Sequence, residues 1–330
     1  MIFGPVPLAQ AVGATLAHSL KLSDGVLRKG TVLDGEHVRS LSAAGIDDVI
    51  VARLENGDLS EDVAAQKVGA TLQGTGLALG PVLAGRVNLL AEKDGVLRVN
   101  PNAIAAFNAV DEGLTLATLP DHMRVEKDQL IATVKIIPYG IEAVLVAAGI
   151  IALGSDPLVL KPFKGGRARL IMTRTPGFKE SLLTKGEAVV AARLATLGYA
   201  LSESIIVAHN EGEVAEALSK PADLHLILGA SATSDRGDVA PRAVERAGGR
   251  IDRFGMPVDP GNLIFLGSLN GAPVVGLPGC ARSPALNGVD WVLERLAAGI
   301  AVDGDAVAAM GVGGLLKEMP NRPQPRRPKL

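Results

Sequence analysis

Residues 226–241 read Leu-Ile-Leu-Gly-Ala-Ser-Ala-Thr-Ser-Asp-Arg-Gly-Asp-Val-Ala-Pro, and this stretch indicates the fold class. Its apolar start is typical of a buried strand, and Pro241 stands where the first turn of a helix is expected. Between them, small residues let a ligand approach the backbone, whose N–H groups can hold an oxyanion. Asp238 either caps the helix or takes part in a binding site, and the spacing leaves both roles open. Asp235 is expected to be a solvated turn residue.

Around this stretch, from residue 168 to residue 298, apolar strands alternate with amphipathic helices. The pattern predicts strands over 169–173, 204–208, 224–228, 263–266 and 274–277, and helices over 185–197, 211–218, 241–247 and 285–298. Such alternation predicts a three-layer α/β domain over residues 166–300, with a mainly parallel sheet and helices on both of its faces. Ligands in this architecture bind beyond the carboxyl ends of the strands, so the candidate binding loops are 174–184, 229–240, 257–262 and 278–284.

Smaller regions precede and follow this domain. Residues 1–75 are expected to form a small α/β region, and residues 76–160 a strand-rich region that includes a buried helix over 141–153. Residues 301–330 are expected to be a tail or linker. Residues 320–330 hold four prolines and four basic residues, a composition typical of an extended, unpacked segment.

The composition limits which partners and which cellular compartment are expected. A net charge of −2 and an aromatic content of 3% argue against nucleic acid and against an anionic membrane surface as partners. The uncharged runs of about 20 residues, 1–20 and 260–281, are interrupted by Pro and Gly, so no membrane-spanning segment is expected. The single cysteine, Cys280, excludes an internal disulfide and suits a reducing cytosol, so the expected location is cytoplasmic. The five histidines show no metal-ligand spacing, and His225 is expected to be structural.

Two further segments resemble ligand loops. Residues 257–262 read Pro-Val-Asp-Pro-Gly-Asn before a predicted strand, and residues 277–284 read Leu-Pro-Gly-Cys-Ala-Arg-Ser-Pro between a strand and the last helix. Each Pro-Gly pair alone would indicate only a turn. Three loops of this kind after neighbouring strands indicate a binding site.

Residues 168–298, less than half of the chain, resemble the molybdopterin-binding domain that molybdopterin adenylyltransferases and molybdenum-insertion proteins share. That family carries a Gly-Gly-x-Ser/Gly turn, an acid in Asp-Val/Tyr-Thr-Pro, a Lys-Pro-Gly-Lys-Pro turn and a Leu-Pro-Gly-Asn-Pro-x-Ser loop. The counterparts here begin at Gly229, Asp238, Asp259 and Leu277, in the same order and at matching spacing.

The resemblance implies a set of site residues. Asp238 is the implied catalytic residue and the implied ligand of a magnesium ion. The implied molybdopterin-binding residues lie in the four loops and are Thr173, Arg174, Gly229, Ala230, Ser231, Pro260, Gly261, Asn262, Pro278, Gly279, Cys280, Arg282 and Ser283. Cys280 could meet the sulfurs of the ligand, although a lone cysteine is more often inert. A basic rim of Arg174, Lys179, Lys185, Arg236 and Arg282 could surround an anionic ligand, and Arg174 and Arg282 are the first candidates.

The sequence also departs from the family pattern. The second acid of the family is missing, since residues 173–186 contain no Asp, and Lys185 stands near its expected position. Ala230 replaces a glycine, Asn262 a lysine and Cys280 an asparagine. Losing an acid and a cation weakens both metal binding and phosphate neutralisation, so the pattern favours binding over catalysis.

Three functional hypotheses therefore stay open. The first is a molybdopterin-binding protein of molybdenum cofactor biosynthesis or maturation. The second is a transferase that inserts molybdate or transfers an adenylyl group with Mg²⁺ at Asp238. The third is nicotinamide-nucleotide processing by a related domain.

The resemblance of the leading region is weaker. Residues 1–140 resemble the first part of bacterial molybdopterin-binding proteins, some of which continue into a nucleotidyltransferase domain. This implies a fused or separate nucleotidyltransferase as a partner, and the domain family implies a homo-oligomer. The role of residues 1–160, the number of subunits and whether the tail leads into a further domain stay open.

Overall fold

The computed structural model describes residues 1–23 and 25–316, and the chain divides into two compact units, Met1–Lys161 and Pro162–Leu330. The division into regions 1–75, 76–160, 166–300 and 301–330 stays a prediction. The extended segment predicted for residues 320–330 lies outside the described residues.

The first unit consists of short strands and four helices within its described residues. The strands are β1 Ile2–Pro7, β2 Thr15–Leu16, β3 Leu20–Leu22, β4 Gly25–Leu27, β5 Asp48–Arg53, β6 Asp58–Ser60, β7 Leu77–Leu79, β8 Arg86–Ala91, β9 Gly95–Val99, β10 Leu114–Thr118, β11 Arg124–Val125, β12 Leu130–Ile136, β13 Gly140–Glu142 and β14 Leu158–Pro162. The helices are α1 Gly35–Ala43, α2 Glu61–Leu72, α3 Pro101–Asn108 and α4 Ala143–Leu153.

The strands of this unit form several small sheets, in which most neighbouring strands are antiparallel. Two of them have the orders β1-β5-β2 and β10-β12-β8-β7, and each borders its own hydrophobic core. Helix α1 begins where Asp34 accepts hydrogen bonds from the backbone N–H groups of Glu36 and His37, both at 2.9 Å. Helix α2 begins at the cap Ser60, with Glu61 in its first turn. Side-chain caps satisfy N–H groups that have no partner inside the helix.

Helix α4 differs from its prediction. It has no charged residue, but only one side is buried, since Val144 is 66% exposed and Ile151 is 79% exposed. Among the described residues, no helix combines the length and the apolar character needed to cross a bilayer.

The second unit contains a six-stranded sheet. Its strands are β15 Gly166–Arg174, β16 Tyr199–Ala208, β17 Leu224–Leu228, β18 Arg250–Phe254, β19 Phe265–Leu269 and β20 Ala272–Leu277. Its helices in the described part are α5 Glu180–Ala195, α6 Glu211–Leu218, α7 Val239–Arg246, α8 Gly288–Ala297 and α9 Gly304–Ala308. The class is α/β, as predicted.

The sheet is mixed, so the finer prediction of a three-layer, mainly parallel arrangement is not confirmed and stays a prediction. The strand order is β16-β15-β17-β20-β19-β18, in which the first four strands are parallel and β19 and β18 are antiparallel to their neighbours. Asn270 and Gly271 join β19 to β20 with φ of 52° and 83°. Asn-Gly accepts the two left-handed positions of a tight hairpin turn, so the two strands must run in opposite directions. Strand β18 was not predicted.

Neighbouring side chains of the central strands enter different hydrophobic clusters. Leu170 and Met172 pack with residues of α5 and α8, whereas Ile171 packs with residues of α6 and α7. Strand β17 is buried along its whole length. A strand covered on both sides is apolar throughout, which explains the unbroken run that precedes Gly229.

Candidate functional site

The predicted binding loops meet at one edge of the mixed sheet. Strands β15, β17 and β20 are parallel, so the residues that follow Thr173, Leu228 and Leu277 lie at the same edge. The loop that contains residues 257–262 reaches this edge by a different route. It precedes β19, whose first residue, Phe265, pairs with Gly276 near the end of β20. The antiparallel hairpin therefore still brings the loop to the edge where parallel strands end.

Thr173 links the end of β15 to the turn after β17. Its side chain is fully buried, and its Oγ1 accepts a hydrogen bond from the backbone N–H of Ala230 at 2.8 Å. The same Oγ1 lies 2.8 Å from Nδ1 of His209, and Nε2 of His209 lies 3.2 Å from Oγ of Ser231. The structure thus brings together three predicted residues and one histidine that the sequence interpretation had set aside.

Gly229 makes this turn possible. A Cβ at this position would lie 2.9 Å from the carbonyl oxygen of Ser231, closer than real Cβ contacts occur. The carbonyl oxygen of Gly229 accepts a hydrogen bond from Nη2 of Arg282 at 2.7 Å. This bond joins the turn after β17 directly to the loop after β20.

Asp238 holds the loop before α7. It stands at the cap position, but its side chain makes no hydrogen bond to the helix. Its Oδ2 instead accepts from the backbone N–H groups of Ser234 at 2.6 Å and Asp235 at 3.0 Å. These bonds, that of Ser234 most strongly, lower the pKa of Asp238, and the nearby His209 adds a smaller lowering. Asp238 is therefore an ionised loop-ordering residue rather than a side-chain helix cap.

Asp235 behaves as the predicted turn residue. It is exposed, and its Oδ1 accepts from the backbone N–H of Gly237 at 2.7 Å. A side chain that bonds two residues ahead in this way forms an Asx turn.

The described residues provide few ligands for a magnesium ion. In the part of the chain that the structure describes, no group of three or more His, Cys, Asp or Glu side chains is placed to hold a metal. Asp238 supplies a single carboxylate, one oxygen of which already binds the loop. Magnesium is commonly held by carboxylates together with phosphates of a bound substrate, so Asp238 alone does not make a metal site. Magnesium binding stays a prediction.

The loop after β20 is held by Arg193 of α5, which the sequence interpretation missed. Its guanidinium donates to the carbonyl oxygens of Ala281 at 2.7 Å, Ser283 at 2.7 Å and Ala285 at 2.9 Å. Its Nε pairs with Asp290 of α8 at 2.6 Å. Pro278 is buried in this loop, while Gly279 is exposed.

Arg282 and Cys280 differ in their surroundings. The guanidinium of Arg282 lies 5.7 Å from the centre of the Phe178 ring, and burial lowers its pKa. Its Nε is buried and has no hydrogen-bond partner among the described residues. Cys280 is exposed by its surface area, yet desolvation within the loop raises the pKa of its thiol, so the less reactive neutral form is favoured.

The loop of residues 257–262 packs on the start of α8. The carbonyl oxygen of Pro260 accepts from the backbone N–H of Gly288 at 2.8 Å. Gly261 is buried, and a Cβ there would lie 2.6 Å from the nitrogen of Gly288. Asn262 is exposed, and its carbonyl oxygen accepts from the N–H of Met256 at 3.1 Å. The Pro-Gly pair thus supports the loop, and Asn262 is its exposed polar residue.

The remaining members of the predicted basic rim are all exposed, namely Arg174, Lys179, Lys185 and Arg236. Arg236 donates to the carbonyl oxygen of Ile251 at 3.2 Å. The N–H of Ala208 lowers the pKa of the Glu213 carboxyl, and the charge of Arg174 adds a smaller lowering.

Cavities also occur in the first unit, and their linings contain no predicted site residue. One of about 420 Å³ and one of about 380 Å³ share Val99, Pro101 and Asp121 in their linings. The carboxylate of Asp121 accepts hydrogen bonds from the N–H of Val99 and from Nε of Arg98. Both partners of this carboxylate are therefore residues of the same unit.

Comparisons with known proteins give one family match and several structural likenesses. A domain of unknown function, DUF8806, matches residues 5–53. No curated protein matches the chain.

The structural likenesses are to proteins of molybdopterin biosynthesis. A MoeA protein from Pyrococcus horikosii has 14% identity and a TM-score of 0.30, covering 90% of this chain and 76% of its own. A molybdopterin biosynthesis protein from Mycobacterium abscessus has 16% identity and a TM-score of 0.29, covering 41% of this chain and 92% of its own. A molybdenum cofactor biosynthesis protein from Pyrococcus furiosus has 13% identity and a TM-score of 0.25, covering 93% of this chain and 65% of its own. These scores are too low for the likenesses to carry an argument about this chain.

Proposed function

We propose that the chain binds molybdopterin and acts in the biosynthesis or maturation of the molybdenum cofactor. The observation that carries this proposal is the hydrogen bond between Arg282 and the carbonyl oxygen of Gly229. It joins two of the four segments on which the resemblance to the molybdopterin-binding domain rests, although 53 residues separate them in sequence.

The chemistry of the ligand suits this edge of the sheet. Molybdopterin carries a phosphate, and a phosphate is well bound by guanidinium groups and backbone N–H groups. Arg282 is half-buried at the edge, and Arg174 follows the buried Thr173 directly. The proposed binding residues are those that the resemblance implied, with Asn262 and Ser231 as exposed polar groups.

Binding is favoured over catalysis by the acids that are present. Asp238 offers one carboxylate, and the segment of residues 173–186 contains no Asp that could act as a second. Adenylyl transfer and molybdate insertion both demand a bound metal and neutralised phosphate charge, and among the described residues Asp238 alone is a weak basis for holding the metal. Turnover of molybdopterin with ATP and Mg²⁺, abolished in Asp238→Asn, would favour a transferase instead.

The partner, the cellular location and the oligomeric state are also part of the proposal. A nucleotidyltransferase is the proposed partner, fused or separate, the cytoplasm is the proposed location, and the chain is proposed to be a homo-oligomer. Light scattering on the purified full chain measures the subunit number, and a monomer at all concentrations would contradict the last of these.

The test of the function is extraction of bound pterin from the purified full chain, followed by oxidation and fluorescence detection. We expect a pterin in the wild-type protein and in Arg250→Ala, because Arg250 is an exposed residue at the start of β18. We expect loss of pterin in Arg282→Ala, which leaves the oxygen of Gly229 without this donor. The proposal fails if no pterin is extracted and added molybdopterin does not bind.

A further inference from the structure

We propose that Thr173 holds His209 in the tautomer with hydrogen on Nε2, and that this Nε2–H and the turn of residues 231–233 bind a phosphate group. This role adds a binding residue to the proposed function. It rests on that function only where the bound phosphate is that of molybdopterin. His209 would be the residue that recognises the anionic end of the ligand.

The first step is the position of the His209 ring, which lies along the turn after β17. Nδ1 is 2.8 Å from Oγ1 of Thr173, and Nε2 is 3.2 Å from Oγ of Ser231. The edge between the two nitrogens faces Gly229, because Cε1 lies 3.9 Å from where a Cβ of Gly229 would stand. The backbone N–H of His209 also donates to the carbonyl oxygen of Arg174 at 3.0 Å. The ring is therefore held at both nitrogens and at its backbone.

The second step is the placement of hydrogens around Thr173. A hydroxyl has one hydrogen to donate and two lone pairs that accept. One lone pair of Oγ1 accepts from the N–H of Ala230. Among the described residues, Nδ1 of His209 is the acceptor within reach of the buried hydroxyl hydrogen. If Thr173 donates to Nδ1, then a neutral His209 carries its hydrogen on Nε2.

The third step separates a binding role from nucleophilic catalysis. In a serine nucleophile with a histidine base, Nε2 is the acceptor for the serine hydroxyl, and a third group accepts from Nδ1–H. Here the third group donates to Nδ1, so Nε2–H is directed toward Ser231, whose hydroxyl a phosphate oxygen would replace as its acceptor. The arrangement thus presents a hydrogen-bond donor at the surface rather than a base.

The fourth step is the set of donors beside Nε2–H. In the described part of the chain, the backbone N–H groups of Ser231, Ala232 and Thr233 have no acceptor. The next two N–H groups, of Ser234 and Asp235, bind the carboxylate of Asp238. The same loop therefore already binds one anionic group through its backbone, and its open donors are suited to a second.

The experiment uses the full chain with ¹⁵N-labelled histidine side chains and inorganic phosphate as the probe. We expect the spectrum of His209, assigned by its loss in His209→Gln, to show the Nε2–H tautomer. We expect its Nε2 resonance to shift with phosphate until saturation. An Nδ1–H tautomer, or no response to phosphate, would overturn the proposal.

Two pairs of variants separate this role from a merely structural one. The side-chain amide nitrogen of glutamine can occupy the place of Nε2–H, whereas that of asparagine lies nearer Nδ1. We expect phosphate affinity to fall about tenfold or more in His209→Asn and by only a few-fold in His209→Gln. We expect Thr173→Val to change the tautomer and weaken phosphate binding, and Thr173→Ser, which keeps the hydroxyl, to restore both. Equal losses in the two His209 variants would contradict the proposal.

The outcomes separate this inference from the proposed function. A phosphate response at His209 without any pterin binding would refute the proposed function and leave the anion site standing. Pterin binding that leaves the His209 resonances unchanged would refute the anion site alone.

Discussion

Single residues in the second unit show which contacts hold the sheet and which shape the site. Arg169 is 3% exposed and donates to Glu203 at 2.8 Å, to the carbonyl oxygen of Ala217 at 2.6 Å and to that of Lys220 at 3.1 Å. It therefore satisfies carbonyl oxygens at the end of α6 as well as an acid. This cluster lies on β15 and is structural.

We expect Arg169→Ala to lower the free energy of unfolding by about 3 kcal/mol, because it leaves buried acceptors without their donor. Urea unfolding measures the change. Arg250→Ala is the matched control, since Arg250 also pairs with an acid, Asp252, but is exposed, and exposed pairs contribute about 0–1 kcal/mol. Equal effects in the two variants would contradict the structural role of Arg169.

Gly229 tests the geometry of the turn. We expect Gly229→Ala to lower the free energy of unfolding by about 1–3 kcal/mol, because its Cβ would meet the carbonyl oxygen of Ser231. Gly304→Ala is the control, since no atom lies within 4 Å of a Cβ there. Thermal unfolding compares the two, and a Gly229→Ala protein as stable as the control would show that the turn is not this tight.

Asp238 should make the stability depend on pH. The N–H groups of Ser234 and Asp235 lower its pKa in the folded state, so its stabilisation is present above the pKa of an unfolded carboxyl group. It is lost as the pH falls through the lowered, folded-state pKa. We expect Asp238→Asn to be less stable than wild type at neutral pH, with a difference that narrows in acid. A difference that is constant with pH in chemical unfolding would argue against this role.

Prediction from sequence named residues that lie in motifs and missed residues whose contacts are distant in sequence. Gly229, Ser231 and Arg282 were named because their loops follow apolar strands and resemble a family pattern, and their binding role stays a prediction. His209 was missed because no second histidine stands at a ligand spacing, and its partners lie 22 and 36 residues away. A polar residue directly after the strand that became β16 was the available signal.

At the scale of elements, most strands and helices of the second unit followed from periodicity, but the reversed direction of β19 did not. Helix α6, Glu211–Leu218, has the predicted bounds. The antiparallel edge was missed although Asn270-Gly271 between two apolar runs is a strong hairpin signal. Strand β18 was missed although Arg250–Phe254 alternates charged and apolar residues, which is typical of a half-exposed strand.

Arg193 makes α5 an element that positions the loop after β20. We expect Arg193→Ala to raise the hydrogen exchange of residues 279–285 and to lower the free energy of unfolding by about 2–4 kcal/mol, because three carbonyl oxygens and Asp290 lose their donor. Arg193→Lys should restore little, since an ammonium cannot reproduce the planar fork of a guanidinium. Unchanged exchange in this loop would refute the positioning role. Sequence reasoning could not find Arg193, because its backbone acceptors lie 88 to 92 residues away and Asp290 lies 97 residues away.

At the scale of the whole molecule, the predicted loops converge because parallel strands end at one edge and a hairpin returns a further loop to it. Composition argues against some partners but identifies none. A net charge of −2 argues against nucleic acid but favours no particular ligand. The ligand is inferred from the four motifs and from the contacts that join them. Residues 173–186 contain no Asp, and the proposed role is therefore binding.

The most direct test is calorimetric titration of the full chain with molybdopterin and, in parallel, with a pyridine nucleotide. We expect saturable binding of molybdopterin, weakened about tenfold or more by Arg282→Ala and unchanged by Arg250→Ala, and no comparable binding of the pyridine nucleotide. Selective binding of the pyridine nucleotide, with none of molybdopterin, would contradict the proposed function.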